Sequence, residues 1–404
     1  MSERVSLRRS LSLPLLTLYG LGTIVGAGIY VLSGKVAGMA GMAAPVAFLV
    51  ASVLAAFSAF SYAELAARFP VSAGEAAYSM RAFGREGLAT AVGLAIALVG
   101  LVSAGTMARG FVGYLQVFWA VPDPVAITGF LLLLGAVAAW GISQSAWLAA
   151  GATVVEVAGL VLVLWAGGDA LGTLPARWPE LIPELEIGLW VGVLSGAFIA
   201  FYAFIGFEDI VKVAEEVRDP ARNLAWAILL ALGISTLFYV AVSTVSVLAV
   251  PPDELGASEA PLALVYERAS GLPSHLISAI GIAAVINGAL VQLIMASRML
   301  YGMAREGWLP RWFAAVHPAT RTPLRATALV LAVVLALALA FPLVRLAEAT
   351  SFINLLVFCV VNLSLWVLKG RAPRPEGVRV FPRWVPLVGF LASAGFLVGR
   401  ILGI

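Results

Sequence analysis

Long apolar stretches alternate with short polar segments along almost the whole chain. Eleven of these stretches have about the 20 residues that a helix needs to cross a bilayer. They lie at 13–35, 42–66, 87–116, 122–142, 146–167, 187–210, 223–250, 275–299, 325–342, 346–368 and 385–403. The segments between them are too short to form a soluble domain. The pattern therefore predicts an all-α integral membrane protein with about 11 transmembrane helices.

Composition and charge agree with this prediction. The 404 residues are 62% hydrophobic and 12% charged, which is far from the composition of a soluble domain. If the N-terminus is cytoplasmic, 19 of the 25 Lys and Arg residues fall in inside segments, as the positive-inside rule requires. We attribute the net charge of +3 to this topology and not to nucleic-acid binding. We expect a protein of the cytoplasmic (inner) membrane, with its N-terminus inside and its C-terminus outside.

Small residues interrupt the first and sixth spans. They are Gly20, Gly22, Gly26 and Gly28 in the first span, and Ser195, Gly196, Ala203 and Gly206 in the sixth. Because the two spans are five apart, a second block of five spans begins on the opposite side of the membrane, which is typical of an inverted-topology repeat. We predict a cytoplasmic segment at 1–12, a first repeat at 13–167, a second at 187–368, a basic cytoplasmic loop at 369–384 and an eleventh span at 385–404.

Close helix packing is the alternative explanation for these glycines. Gly22 with Gly26, and Gly34 with Gly38, have the small-xxx-small spacing of packed membrane helices. The consecutive residues 26–28 spread around the helix, however, and cannot all face one neighbour. This run therefore favours a break in the backbone.

Backbone groups at such breaks predict the ligand. The N–H groups around Gly26, Ala27 and Gly28 begin a half-helix at mid-membrane, where its positive dipole end favours an anion. Carbonyl groups near Ile24 and near Tyr202 and Ala203 end the preceding half-helices and can accept from an ammonium group. A carboxylate site beside an ammonium site matches an α-amino acid zwitterion.

Four segments resemble the amino acid–polyamine–organocation permeases. They are Gly22–Tyr30 in span one, Phe201–Glu208 with 214–216 and 219–222 after it, 62–65 with 69–70 and 74–78 after span two, and 296–307 after span eight. The resemblance implies a leucine-transporter-like fold with a 5+5 inverted repeat, and secondary active transport of amino acids by alternating access. It places the substrate carboxylate on the first-span glycines and the amine on the carbonyls of both breaks. The substrate-binding residues that we predict are Ile24, Val25, Gly26, Ala27, Gly28, Tyr202, Ala203, Phe204 and Gly206.

Ionisable and amide side chains within the spans are candidates for ion coupling. Glu156 lies in the middle of span five, where several relatives carry a lysine. A carboxyl group there can take up and release a proton as the cavity opens to either side, although it could instead be a structural partner of Arg109 or of a polar side chain. Glu208 either caps the second break or takes part in coupling. Asn287 can contribute to the cavity or to an ion site, or form an interhelical hydrogen bond.

The remaining alternatives are exchange without ion coupling, a channel and a membrane-embedded enzyme. The two histidines, His275 and His317, fall at a span end and in a loop, away from any Ser, Asp or Glu at mid-membrane. We therefore expect no enzyme activity, no cofactor and no metal site. We expect an amino acid substrate, protons with sodium as the alternative coupling ion, a lipid bilayer and no nucleic acid. Small or apolar neutral amino acids are preferred, because we expect no acidic residue in the lining of the breaks to hold a cationic side chain.

Overall fold

The protein is described here from a computed structural model. It describes residues 9–71, 73–140, 146–305, 307, 309–317, 320 and 322–403, without the side chains of 146–148. Parts of several sequence predictions lie outside these residues, among them most of the cytoplasmic segment at 1–12, the end of the fourth span at 122–142 and residue 306 of the segment 296–307. Within the described residues the chain forms helices and loops, with a single isolated β-bridge between Leu11 and Val217.

The described residues of the first half of the chain form nine α-helices. They are α1 (Leu13–Val25), α2 (Ala27–Ala40), α3 (Ala44–Arg68), α4 (Gly74–Phe83), α5 (Glu86–Gln116), α6 (Asp123–Trp140), α7 (Ala146–Ala166), α8 (Gly168–Gly172) and α9 (Leu174–Arg177). Helices α1 and α2 together form the predicted first span. Helices α8 and α9 lie in the connection to the second half.

Eight further α-helices lie in the part of the second half that the structure describes. They are α10 (Ile187–Phe204), α11 (Pro220–Ala249), α12 (Pro252–Ala257), α13 (Pro261–Ser270), α14 (His275–Arg305), α15 (Leu324–Ala340), α16 (Leu343–Arg371) and α17 (Trp384–Ile401). A 3₁₀ segment, Phe207–Glu216, follows α10 and completes the predicted sixth span. The short helices α12 and α13 connect spans seven and eight.

Many of these helices are long and apolar enough to cross a membrane. Nine stretches of the described residues satisfy this criterion, and one of them, Ala27–Arg68, contains both α2 and α3. Leu13–Val25 and Leu324–Ala340 are apolar but shorter. The all-helical, multi-pass architecture that the sequence predicts is therefore confirmed.

Glycines bring several helices into close contact. An ideal Cβ on Gly38 would lie 2.9 Å from the Cα of Gly256 in α12, and a Cβ on Gly34 would overlap the Leu255 carbonyl. Gly20 and Gly22 similarly face the side chains of Ile210 and Thr153. For these four glycines of the first span, the close-packing alternative is therefore correct.

A buried charge cluster joins three segments at one end of the bundle. The carboxylate of Glu64 in α3 accepts hydrogen bonds from Lys369 Nζ at 2.7 Å, from Arg68 and from the backbone N–H of Phe381. Lys369 also donates to the Phe381 carbonyl at 2.7 Å. The cluster attaches the loop before α17 to α3 and α16. Lys369, which we assigned to the start of a cytoplasmic loop, is a buried residue of α16.

Candidate functional site

The first span is interrupted at Gly26. Helix α1 ends at Val25 and α2 begins at Ala27. Within the described residues, a Cβ on Gly26 would have only one neighbour within 4 Å, the Gly22 carbonyl oxygen at 3.5 Å. Gly26 therefore has more space around its Cα than the packed glycines of the same span. The predicted break is present at this residue.

The sixth span is interrupted at Ile205 and Gly206. Gly206 has φ +134°, a conformation that strongly favours glycine. A Cβ at this position would also lie only 2.6 Å from the carbonyl carbon of Thr23. The segment after the break is 3₁₀ and not the second α-helical half that we expected. Its first turn includes a bond from the Asp209 N–H to the Gly206 carbonyl at 3.0 Å.

The two interruptions are in direct contact. The Thr23 hydroxyl donates to the Gly206 carbonyl at 2.9 Å. A Cβ on Gly28 would lie 2.6 Å from the Cα of Ala203, so the backbones of α2 and α10 approach each other closely there. Groups that are about 180 residues apart in sequence thus share one location in the middle of the bundle.

Tyr239 bridges the carbonyl groups of both breaks. Its hydroxyl, from α11, lies 2.7 Å from the Ile24 oxygen and 2.9 Å from the Ala203 oxygen. A hydroxyl has one proton and each carbonyl oxygen has two lone pairs, so both oxygens retain capacity for another donor. Sequence reasoning missed this residue because a tyrosine within a span is typical of helix packing.

Two aromatic residues at the second break have different surroundings. The Tyr202 hydroxyl lies 2.9 Å from the Ser103 hydroxyl of α5 and is buried. The ring of Phe204 packs 5.0 Å from that of Tyr239 and is fully buried. Phe204 is thus a packing residue in this conformation, whereas Tyr202 links α10 to α5.

Glu208 stabilises the second break. One carboxylate oxygen accepts from the Gly206 N–H at 2.8 Å, and the other accepts from the Asn354 side chain of α16 at 3.0 Å. The capping role that the sequence suggested is therefore observed. Asn354 is an additional site residue that the sequence did not reveal.

Glu156 is a buried carboxyl group next to the breaks. Its Oε1 accepts from the Asn287 amide of α14 at 3.0 Å, while its Oε2 is buried and has no hydrogen-bond partner among the described residues. Arg109 is not its partner, but a polar side chain is: the structural alternative is observed with Asn287 in place of Arg109. Arg109 instead donates to the carbonyls of Leu339 and Phe341, each at 3.1 Å.

A small central cavity lies beside the breaks. Its volume is about 30 Å³, and its lining includes Tyr19, Gly26, Thr153, Asp209, Asn287 and Gln292. The presence of Asp209 contradicts our expectation that no acidic residue faces this region. Among the described residues there is no group of three His, Cys, Asp or Glu side chains that could hold a metal ion.

Comparisons with known proteins identify the family. The sequence profile described as "Amino acid permease" matches residues 11–403, and the chain belongs to this family of transporters. It is 34% identical over 393 residues to an uncharacterised transporter of Mycobacterium tuberculosis, covering 95% of this chain and 84% of that protein.

Two relatives from Bacillus subtilis have substrates in their names. A branched-chain amino acid permease is 29% identical and is matched over 100% of this chain and 93% of its own length. A methylthioribose transporter is 29% identical, over 97% of this chain and 88% of its own length. The resemblance that four sequence segments indicated is thus confirmed across the chain.

The contact between Gly28 and Ala203 leads to a stability prediction. Gly28→Ala places a methyl group against the backbone of α10, and overpacking of this kind costs about 1–3 kcal/mol. We expect a lower apparent melting temperature for the purified variant in detergent. Gly129→Ala in α6 is the control, because a Cβ there meets nothing within 4 Å. Equal melting temperatures for the two variants would contradict the close contact.

Proposed function

We propose that this permease is a secondary active transporter of α-amino acids that works by alternating access and is coupled to protons. The observation that supports the proposal most is the contact between two interrupted helices beside the central cavity. Unwound backbone at membrane depth is tolerated where it is buried in protein or lines a cavity. In transporters, such paired interruptions typically mark the substrate site.

The proposed site has one region for each charged group of an amino acid. The carboxylate binds at Gly26, Ala27 and Gly28, because the first N–H groups of α2 lack partners within that helix. The ammonium binds the carbonyls of Ile24 and Ala203, whose oxygens lie 2.7 and 2.9 Å from the Tyr239 hydroxyl and therefore close to each other. Val25, Tyr202, Phe204 and Gly206 complete the predicted site.

The size of the central cavity supports a closed conformation. A volume of about 30 Å³ has room for little more than a water molecule. Substrate entry therefore requires the helices around Gly26 to separate. With the N-terminus inside, Tyr19 precedes Gly26 on the cytoplasmic side, so the cavity extends from the breaks toward the cytoplasm.

We propose that α1–α7 form the first of two inverted repeats, and that α10–α16 with the 3₁₀ segment form the second. In this topology the C-terminus lies outside.

Uptake into proteoliposomes tests this function. We expect saturable uptake of a labelled neutral amino acid such as L-alanine or L-leucine, which a channel or an enzyme would not give. Gly26→Leu fills the space at the break, so it should lower uptake by at least about tenfold. Gly129→Leu is the control, since its side chain meets no protein atom within 4 Å of the Cβ. Near-parental uptake by Gly26→Leu would place the substrate site elsewhere.

The environment of Glu156 supports the coupling proposal. A proton on Oε2, the oxygen without a hydrogen-bond partner in the described part of the chain, leaves the bond from Asn287 to Oε1 intact. Asn287 also lines the central cavity. One amide side chain therefore contacts both Glu156, where the proton would bind, and the space where the substrate would bind. Glu208 is the second candidate, although both of its oxygens already accept hydrogen bonds.

Replacement of Glu156 separates coupling from substrate binding. Glu156→Gln retains an acceptor for Asn287 but cannot titrate. We therefore expect exchange at zero gradient to remain within about threefold of the parent, while accumulation driven by an acidic exterior is lost. The exposed residue Glu376 provides the control variant, Glu376→Gln. Accumulation by Glu156→Gln equal to that of the parent would assign coupling to another group, to sodium or to exchange alone.

A further inference from the structure

Each residue of one ion pair lines a different cavity. The central cavity is lined by Asp209, and a second cavity of about 680 Å³ is lined by Lys212 together with Glu75, Met80, Arg298 and Met303. The second cavity therefore lies among α4, α14 and the 3₁₀ segment. Asp209 and Lys212 belong to the same short segment, so one ion pair contributes a residue to the lining of each cavity.

The 3₁₀ conformation explains why these two residues meet. Side chains at positions i and i+3 are eclipsed in a 3₁₀ helix, and Lys212 follows Asp209 by three residues. Lys212 Nζ lies 2.5 Å from Asp209 Oδ1, and the side chains are only 14% and 5% exposed. An ion pair that is this poorly solvated is screened much less than a surface pair.

Other carboxyl groups near Lys212 do not replace Asp209 as its partner. Burial raises the pKa of Glu75, which favours its neutral form, while Lys212 acts in the opposite direction; Glu75 also accepts a hydrogen bond from the Tyr62 hydroxyl at 3.2 Å. Glu208 is bound by the Gly206 N–H and the Asn354 amide. Lys212 is therefore the cation that compensates the Asp209 carboxylate at the central cavity.

The position of Asp209 places the Asp209–Lys212 ion pair near the end of the substrate side chain. Tyr19 lines the same cavity seven residues before Gly26, or about 10 Å along the helix. Gly20, next to Tyr19, contacts Ile210, next to Asp209. Asp209 thus lies at the end of the cavity away from Gly26, where the end of a long substrate side chain would reach.

We infer that Lys212 is a specificity-determining residue: by neutralising Asp209 in the cavity wall, it makes the site select amino acids with neutral side chains and reject cationic ones. This inference rests on the proposed amino acid transport. Without the lysine, the same carboxylate would be available to the ammonium or guanidinium group of a cationic amino acid.

Competition for uptake tests the inference. The parent protein is reconstituted with whichever of L-alanine, L-valine or L-leucine it transports, and unlabelled L-lysine, L-arginine and L-glutamate are the competitors. In Lys212→Gln, we expect L-lysine and L-arginine to inhibit at concentrations at least about tenfold lower than in the parent. Lys35→Gln, which removes a lysine paired with Glu259 away from this cavity, should retain the parental order of competitors.

A second variant tests the charge balance in the opposite direction. Asp209→Asn leaves the Lys212 ammonium without its carboxylate, so L-glutamate should become the stronger competitor, again by at least about tenfold. Asp209→Asn also tests the specificity role of the ion pair if Lys212→Gln is not recovered as a folded protein by size-exclusion chromatography. An unchanged order of competitors in either folded variant would overturn the specificity role. Absence of amino acid uptake by the parent would instead overturn the proposed function.

Discussion

Backbone hydrogen bonding at membrane depth is the constraint on which the rest of this structure depends. An interrupted helix exposes N–H and C=O groups where no lipid can pair with them. Here the two interruptions lie against each other, and the protein supplies several of the missing partners: Thr23 for the Gly206 carbonyl, Glu208 for the Gly206 N–H, and Tyr239 for two carbonyls. Gly26, where α2 starts, has space around its Cα instead. We propose that the backbone groups without a partner from the protein, at the start of α2, are the ones that bind the substrate.

The buried carboxyl groups around this region have distinct environments. Glu208 is held by an N–H group and an amide, Glu156 by one amide, and Asp209 by a lysine. A buried carboxylate with a full set of donors is stabilised in place, whereas one with an oxygen lacking a partner is suited to changing its protonation. The different partners therefore suggest different roles: a structural cap, a coupling group and a balanced charge in the cavity wall.

The sequence predicted the helical type of the chain, because the apolar stretches are longer than anything a soluble core needs. It did not give the number of long helices: eleven spans were predicted, and nine stretches of the described residues are long and apolar enough to cross a membrane. It did locate the interruption at Gly26, since three consecutive small residues cannot serve one packing face. The sequence could not tell that Gly22 is a packing residue while Gly26 is the site of the break, because the two have the spacing of a packing pair. The structure distinguishes them, since the Thr153 side chain packs against Gly22. Tyr239 and Asn354 were missed because their partners are distant in sequence, 215 residues for Tyr239 and Ile24. The hydrophobic periodicity also did not predict that the segment after the second break is 3₁₀, or that Asp209 and Lys212 form an ion pair within it.

The central claim is that backbone groups at the two breaks recognise both charges of an amino acid. Calorimetric titration of the purified protein with a transported amino acid, its carboxamide and its N-acetyl derivative tests this most directly. We predict binding of the amino acid and a loss of at least about 100-fold in affinity for each derivative, because each one lacks a charged group that the buried site must pair. Comparable affinity for either derivative would contradict the account, since the corresponding backbone groups would then not be the ones that bind.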